Sequence, residues 1–500
     1  MLNRLLCWRD LSVTMTAMAA ILATYGSALA VERLAGLRLD IVIQAVVLAM
    51  TLARIQRSAD FRDRLAGFVL LPAVAVAGWG IGHLISTDAD AGDVLFVLAM
   101  SASVWVRRFG PRASRAGMLI VSPLIAVLIV GAGGPGQAPL GWVVVIALIA
   151  CAWVSVFQLL AMRIGLVRMA PSSQPAAPRS ARSRRLRASS RMALQLGVAL
   201  AAAFTVGRTM WPDHWSWVVL TAFIVCSGAR GRGDVLLKGV LRAGGAAAGT
   251  VVAACIAGMF GPRADVTVVL MFIGLAAATW LREYSYAYWA GIVTAVLSLL
   301  YGWFGESPGG LLDTRLEGIL AGAVLGIAAS WLVLPVRTEA VLRRRSADAV
   351  AALGSVLSAD WSHPSAVPAF ERSVDQLRQL AQPLRAQRFL LSRWYPDRRF
   401  GADAIDAVER CTGPVRVLAA SDKQAGSDAS SVRALSGNIA AVRRAIGRRP
   451  GARYHPVAFG ADGGQSQVRA ALREIDGALG LLSEIFAENK VSEASVAGGP

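Results

Sequence analysis

Up to Pro335 the chain alternates long apolar runs, many of about 18–24 residues without a charge, with short polar stretches; after Pro335 that pattern stops. A helix rises about 1.5 Å per residue, so some 20 apolar residues cross a hydrocarbon core of about 30 Å. The runs predict spans near 11–31, 39–54, 65–85, 93–106, 116–133 and 140–162, and a second set near 192–210, 214–228, 239–260, 265–281, 286–304 and 312–335. Arg4 and Arg9 precede the first run, and Ser27–Ala30 resembles a cleavage site. The run Leu11–Val31 is nevertheless of spanning length, beyond the roughly 7–15 apolar residues of a signal peptide. It is expected to stay as a first helix.

Beyond Pro335 the periodicity becomes amphipathic, as in Phe370–Tyr395 and in Gln467–Glu488, where Val468, Leu472, Ile475, Leu479 and Leu482 recur at helical spacing. A cytoplasmic helical bundle is expected there. It shows no nucleotide-binding glycine loop and no nucleophile–base arrangement.

The two sets of spans read as copies. FRDRLAGFVLLP (Phe61–Pro72) parallels LKGVLRAGGAAAG (Leu237–Gly249), each with Arg-x-x-Gly entering a span. DVLFVLAMSASVWVRR (Asp93–Arg108) parallels DVTVVLMFIGLAAATWLRE (Asp265–Glu283), and the offset stays within 172–178 residues. Six spans per copy is an even number, so both copies enter from the same side. The expected fold class is an all-α membrane protein of about twelve transmembrane helices, arranged as two parallel six-helix repeats, with a C-terminal cytoplasmic helical bundle. The domains are a first membrane repeat (1–165), a basic Pro/Ser/Arg-rich cytoplasmic linker (166–190), a second membrane repeat (191–336) and a cytoplasmic helical domain (337–500).

Composition agrees. The 500 residues are 55% hydrophobic, with mean hydropathy +0.53. The net charge of +19 would suggest nucleic acid in a soluble protein. Here the arginines gather in every second loop, at Arg54–Arg64, Arg107–Arg115, the linker, Arg230–Lys238 and Arg343–Arg345. That is the positive-inside pattern. It places both termini in the cytoplasm and gives no reason to expect nucleic acid. The five cysteines (Cys7, Cys151, Cys226, Cys255, Cys411) form no CxxC pair, and the four histidines are isolated. No disulfide framework, metal site or cofactor is expected.

The candidate chemistry lies in the second set. Arg242, Gly245 and Gly249 share roughly one helix face at i, i+3 and i+7. Gly318, Gly322 and Gly326 form a second stripe at spacing four. Small residues let helix backbones approach closely in lipid, so these five glycines are read as packing positions. Packing does not need Arg242. Its side chain either snorkels to the interface or faces a cavity and attracts an anion, and both readings stay open. Arg315 lies just inside the last span, between Asp313 and Glu317. Glu317 is the clearest candidate for a buried carboxylate, as a proton carrier or as the partner of an arginine. The aromatics of Trp211–Trp217 and Tyr284–Gly291 suit either an interfacial belt or a surface that stacks an aromatic substrate.

DHWSWVVLTAFIV, KGVLRAGGAAAG, YAYWAGIVT and TRLEGILAGAVLG, taken together, resemble the fusaric-acid-resistance and aromatic-acid-exporter family of inner-membrane proteins. The matching positions are His214–Trp215, Leu220–Thr221, Arg242 with Gly245 and Gly249, Tyr286 with Thr294, and Arg315 with Gly322. Ala246 departs from the threonine common in the family. The resemblance covers about residues 191–336 and reaches the N-terminal half only through the repeat. It implies export of aromatic carboxylic acids from the bacterial inner membrane, with Arg242, Arg315, Trp215, Tyr286 and Thr294 as candidate substrate-binding residues; Glu317, from its place in the last span, is the proton-coupling candidate. Gram-negative relatives can work with a periplasmic adaptor protein, and distantly similar plant proteins are malate-type anion channels.

Three functions compete. The first is a carrier exporting organic acids. The second is a passive organic-anion channel, which the scarcity of intramembrane carboxylates suits. The third is an envelope scaffold that acts through the C-terminal bundle. An enzyme is not expected. The expected partners are a small organic anion and the lipid bilayer; a periplasmic adaptor and a second copy of the chain remain open.

Overall fold

The computed structural model describes residues 8–55, 61–130, 139–166, 188–228, 231–257, 263–282, 284–305, 308–334, 338–358, 365–396, 399–421, 429–449, 453–459 and 467–497. Within them every regular element is a helix. Most of the basic linker expected at 166–190 lies outside the described residues, as do the loops 56–60 and 131–138.

The chain divides into two compact units: Met1–Ala229 with Lys238–Pro335, and Arg230–Leu237 with Val336–Pro500. The first unit holds α1 (Trp8–Ala35), α2 (Asp40–Ile55), α3 (Phe61–Thr87), α4 (Ala89–Trp105), α5 (Pro111–Val130), α6 (Leu140–Arg163), α7 (Ala188–Met210), α8 (Trp215–Cys226), α9 (Arg232–Ala257), α10 (Asp265–Leu281), α11 (Tyr286–Trp303) and α12 (Pro308–Leu332). The first turns of α9 group with the second unit.

A helix therefore lies in each predicted span. Among the described residues, nine are long and apolar enough to cross a membrane. Trp215–Cys226 and Asp265–Leu281 are shorter apolar helices, and α2 has 16 residues. At about 1.5 Å per residue, the 12 residues of α8 reach only about 18 Å. The largest shift in a boundary is at α9, which begins at Arg232 rather than near 239 and so takes its basic start into the helix.

Local chemistry sets several ends. Asp88 caps α4 by accepting from the Ala91 amide, and Ser285 caps α11 by accepting from that of Ala287. Gly165, at φ +76, closes α6: its amide donates to Met162 O, and that of Leu166 to Ala161 O.

Two larger apolar cores organise this unit. One joins α1, α2, α3, α5 and α6, with α10 packed against it through Phe272 and Leu275. The other joins α3, α4, α5, α7 and α8, with α12 packed against it through Ala321 and Leu325. α1 packs on α2, α6 and α10, and α7 packs on α8, α12 and α4. Phe96 and Phe204 meet edge-on across α4 and α7 at 5.4 Å, and Tyr25 and Phe272 do so across α1 and α10 at 4.9 Å.

The second unit holds α13 (Thr338–Ser358), α14 (Ala366–Arg378), α15 (Ala381–Leu391), α16 (Gly401–Arg410), α17 (Thr412–Ala420), α18 (Ala429–Ile446) and α19 (Gln467–Ala497) around its own core. The predicted stripe of α19 lies in that core: Leu472, Ile475, Leu479 and Leu482 are buried, and Val468 is half-buried. A satisfied polar knot holds Tyr454–Val457 against α18 and α19. Asn438 donates to Asp476 and to His455 O, and Tyr454 Oη and the Val457 amide donate to the same carboxylate.

Candidate functional site

Arg242 lies 10 residues into α9, about 15 Å along it. Its face of α9 carries Gly245 and Gly249, and the helix meets α11 there. A Cβ on Gly245 would stand 2.7 Å from Ala287 O, and one on Gly249 would collide with Gly291 O and stand 3.1 Å from Thr294 Cβ. With no side chain at these points, α9 lies close enough to α11 to bury Arg242, which is 2% exposed. Its Nη1 donates to Thr294 Oγ at 3.4 Å. The structure places the Arg242 side chain inside the protein.

Arg315, 3% exposed, reaches the same region from α12. Gly322 brings α12 against α8, where a Cβ would collide with Val218 O and stand 2.9 Å from Thr221 Cβ. Gly318 faces Trp217 Cβ and Gly326 faces Cys226 at looser distances of 3.5 and 3.3 Å. Arg315 Nη1 donates to Ser298 Oγ at 2.8 Å, and its guanidinium lies 5.7 Å from the ring centres of both Trp217 and Tyr301. Trp217 Nε1 donates to Tyr301 Oη, which donates to Ile129 O.

One stripe of α11 joins the arginines. Gly291, Thr294, Ser298 and Tyr301 follow helical spacing, so one face receives α9, Arg242 and Arg315 in turn. Thr294 Oγ donates to Ala290 O and Ser298 Oγ to Thr294 O, which fixes both acceptors. Both guanidiniums line a void of about 10 Å³, with Thr221, Trp217, Tyr301 and the aliphatic Leu128, Leu220 and Ile319 among its walls. That is the lower limit for one water molecule. Arg242 Nε and Thr221 Oγ are buried and, among the described residues, have no hydrogen-bond partner. Among the described residues, no carboxylate lines the void.

The other candidates lie elsewhere. Trp215 is turned away from the arginine pair. It packs on Phe204 at 5.3 Å and carries the Arg208 guanidinium on its face at 4.6 Å. Arg208 is in turn held by both oxygens of Asp93, at 2.5 and 2.7 Å. Tyr286 begins α11 with a buried hydroxyl, in electrostatic reach of Arg242 and Arg282, but does not line the void. Glu317, expected to be buried, is exposed and accepts from Trp211 Nε1 at 3.1 Å. Two residues beyond Arg315, it points about 200° around the helix from it.

Trp217, Ser298 and Tyr301 were not picked out by sequence reasoning. The signal for Ser298 and Tyr301 was their i+4 and i+7 spacing from Thr294. For Trp217 it was the opposite facing of positions 215 and 217 on one helix. Among the described residues, no group of three His, Cys, Asp or Glu is placed to hold a metal ion.

Residues 196–329, from the early turns of α7 to the last turns of α12, match the family model described as Fusaric acid resistance protein-like. This bears out the resemblance read from the motifs. Comparison with curated proteins gives no match. With the apolar helices, the match points to a multi-pass membrane protein of transporter type.

Proposed function

We propose that the chain is a bacterial inner-membrane exporter of organic, above all aromatic, carboxylic acids and related toxic compounds, with Arg242 and Arg315 at the polar centre of its pathway. One observation carries the reading: two arginines, 2% and 3% exposed, line a single void, and among the described residues its walls hold no carboxylate. Two like charges withdrawn from water repel each other and have each lost hydration. A carboxylate between them relieves both penalties. Trp217 and Tyr301 offer ring faces beside that position, and fusaric acid, named in the family description, is itself an aromatic carboxylic acid.

The void is far smaller than such a ligand, so this arrangement is a closed pathway. Opening it requires the glycine contacts of α9 with α11, or of α12 with α8, to separate. Twelve crossings would bring α9 and α12 in from opposite faces. Arg242 and Arg315 would then approach one another from opposite sides, about 15 Å along α9 and about 10 Å along α12. Two repeats are supported by the paired contacts of α1 with α2, α6 and α10 and of α7 with α8, α12 and α4; the arginine-rich alternate loops favour both termini in the cytoplasm. A periplasmic adaptor and a second copy of the chain are the protein partners to test. No enzymatic step and no cofactor is assigned to the pathway.

The test compares the accumulation of a panel of aromatic and aliphatic carboxylates in cells lacking the protein and cells re-expressing it, with and without an uncoupler. Expression should lower the accumulation of one acid class, and the uncoupler should abolish that effect. Arg242→Ala, inserted at normal level, should export at about one tenth of the wild-type rate or less, the loss of a charge-assisted contact of about 1.5–3 kcal/mol. Normal export by this variant would sink the reading.

The exposed position of Glu317 favours a second reading, a passive organic-anion channel, because among the described residues no carboxylate lines the void to carry a proton. Uncoupler-insensitive flux, unchanged in Glu317→Gln, would select the channel over the carrier.

A further inference from the structure

The second unit has an aromatic patch that its core does not use. Phe389 is 80% exposed, Trp394 76% and Tyr395 54%. Among the described residues from Thr338 onward, they are the only large hydrophobic side chains left exposed; Phe370, Phe400 and Phe486 are all buried. The patch is held in place. α15 ends at Leu391, and the amides of both Trp394 and Tyr395 donate to Leu391 O. Ser392, Arg393 and Pro396 are exposed in the same segment, while Arg399, just after it, lies 3.9 Å from Glu484. Exposed aromatics gathered at one point of an otherwise well-buried unit mark an interaction surface.

Its chemistry selects the partner. Tryptophan and tyrosine settle at the level of lipid headgroups, where an apolar ring and a polar edge are both satisfied. Arginine beside them adds attraction to anionic lipid. Five residues, 333–337, join α12 to α13, so a bilayer is always at hand for this unit. We propose that Phe389, Trp394 and Tyr395, with Arg393, dock the C-terminal unit onto the headgroup region of an anionic bilayer. This does not depend on what the first unit transports.

The test uses the full chain in vesicles, with its five cysteines replaced by alanine and Ser392→Cys carrying an environment-sensitive fluorophore. The probe sits inside the patch and leaves all three aromatics in place. In phosphatidylcholine containing about a quarter phosphatidylglycerol, headgroup-labelled quencher lipids should quench it and aqueous iodide should not. A probe at exposed Ser355 should show the reverse. The ratio of lipid to iodide quenching should fall roughly fivefold in phosphatidylcholine alone, the effect of one surface arginine on an anionic leaflet. Phe389→Ser/Trp394→Ser/Tyr395→Ser should abolish the lipid quenching, and because these side chains are exposed the unit should still fold. With the native cysteines retained, a phospholipid carrying a photoreactive headgroup should crosslink to the peptide holding Phe389–Tyr395. Iodide quenching without lipid quenching, or no crosslink, would overturn the proposal. So would shielding from both quenchers only at high protein-to-lipid ratio, which would make the patch a contact between copies of the chain.

Discussion

Arg315 has traded water for one hydroxyl, Ser298 Oγ, and two ring faces. A desolvated cation over an aromatic face gains about 2 kcal/mol, so Tyr301 acts mainly through its ring. Tyr301→Ala should lower the export rate roughly tenfold at matched expression, whereas Tyr301→Phe, which keeps the ring and loses only the 3.3–3.4 Å links to Trp217 and Ile129, should stay within about twofold. Equal loss in both variants would assign the role to the hydroxyl instead. The arginines themselves were legible in the sequence, because a charge inside an apolar run is costly and stands out. Ser298, Tyr301 and Trp217 were not, since such residues are common in membrane helices and gain meaning only when the inward face is known. Glu317 failed for the same reason: its sequence position is intramembrane, but its side chain is on the outer surface of α12.

At the scale of elements, the run of glycine and alanine after Arg242 works as a spacer set to zero. Gly249 abuts the Gly291 carbonyl, while a Cβ added at Gly244 on the same helix would meet nothing within 4 Å. Gly249→Ala should therefore destabilise the unit by about 1–3 kcal/mol through overpacking. Gly244→Ala should be neutral or stabilising by up to about 1 kcal/mol. Thermal unfolding of the two variants in one detergent reads the difference, and equal midpoints would count against the close α9–α11 contact. The sequence placed these glycines on shared faces but did not say which helix each face meets. It also placed a full span at α8, where the structure has 12 residues of helix. Apolar character alone does not fix where a helix stops.

At the scale of the molecule, the second unit is tied together on its surface by a carboxylate–arginine lattice. Arg385 and Arg388 of α15 bridge to Asp403, Asp406 and Glu409 of α16. Burial pushes the Asp406 carboxyl up, but hydrogen bonds from both arginines outweigh this and hold it below the usual carboxylate range. A carboxyl with a depressed folded value contributes stability above its unfolded value, near pH 4, and loses it as pH falls through the folded value. Protection of the α15 and α16 amides in the full chain, taken relative to the intrinsic exchange rate at each pH, should thus fall as pH is lowered below about 4. Asp406→Asn should show reduced protection already at neutral pH and a weaker response to acid. Unchanged protection in Asp406→Asn would leave the lattice without a stabilising role.

The sequence by itself determined that the chain is helical, that its first two thirds are built for a bilayer, that the last third packs around a core of its own and that two arginines are out of place among apolar residues. Each of these is written in local pattern: run length, periodicity of 3.6, and charge against background. Which faces meet was decided only by the tertiary structure. That Arg242 and Arg315 share a void, that α11 supplies their hydroxyls, that Trp217 rather than Trp215 stands beside them and that Glu317 turns outward all depend on helix rotation and close approach. Lipid tails and protein interiors are equally apolar, so hydrophobicity cannot tell the inward face of a membrane helix from the outward one.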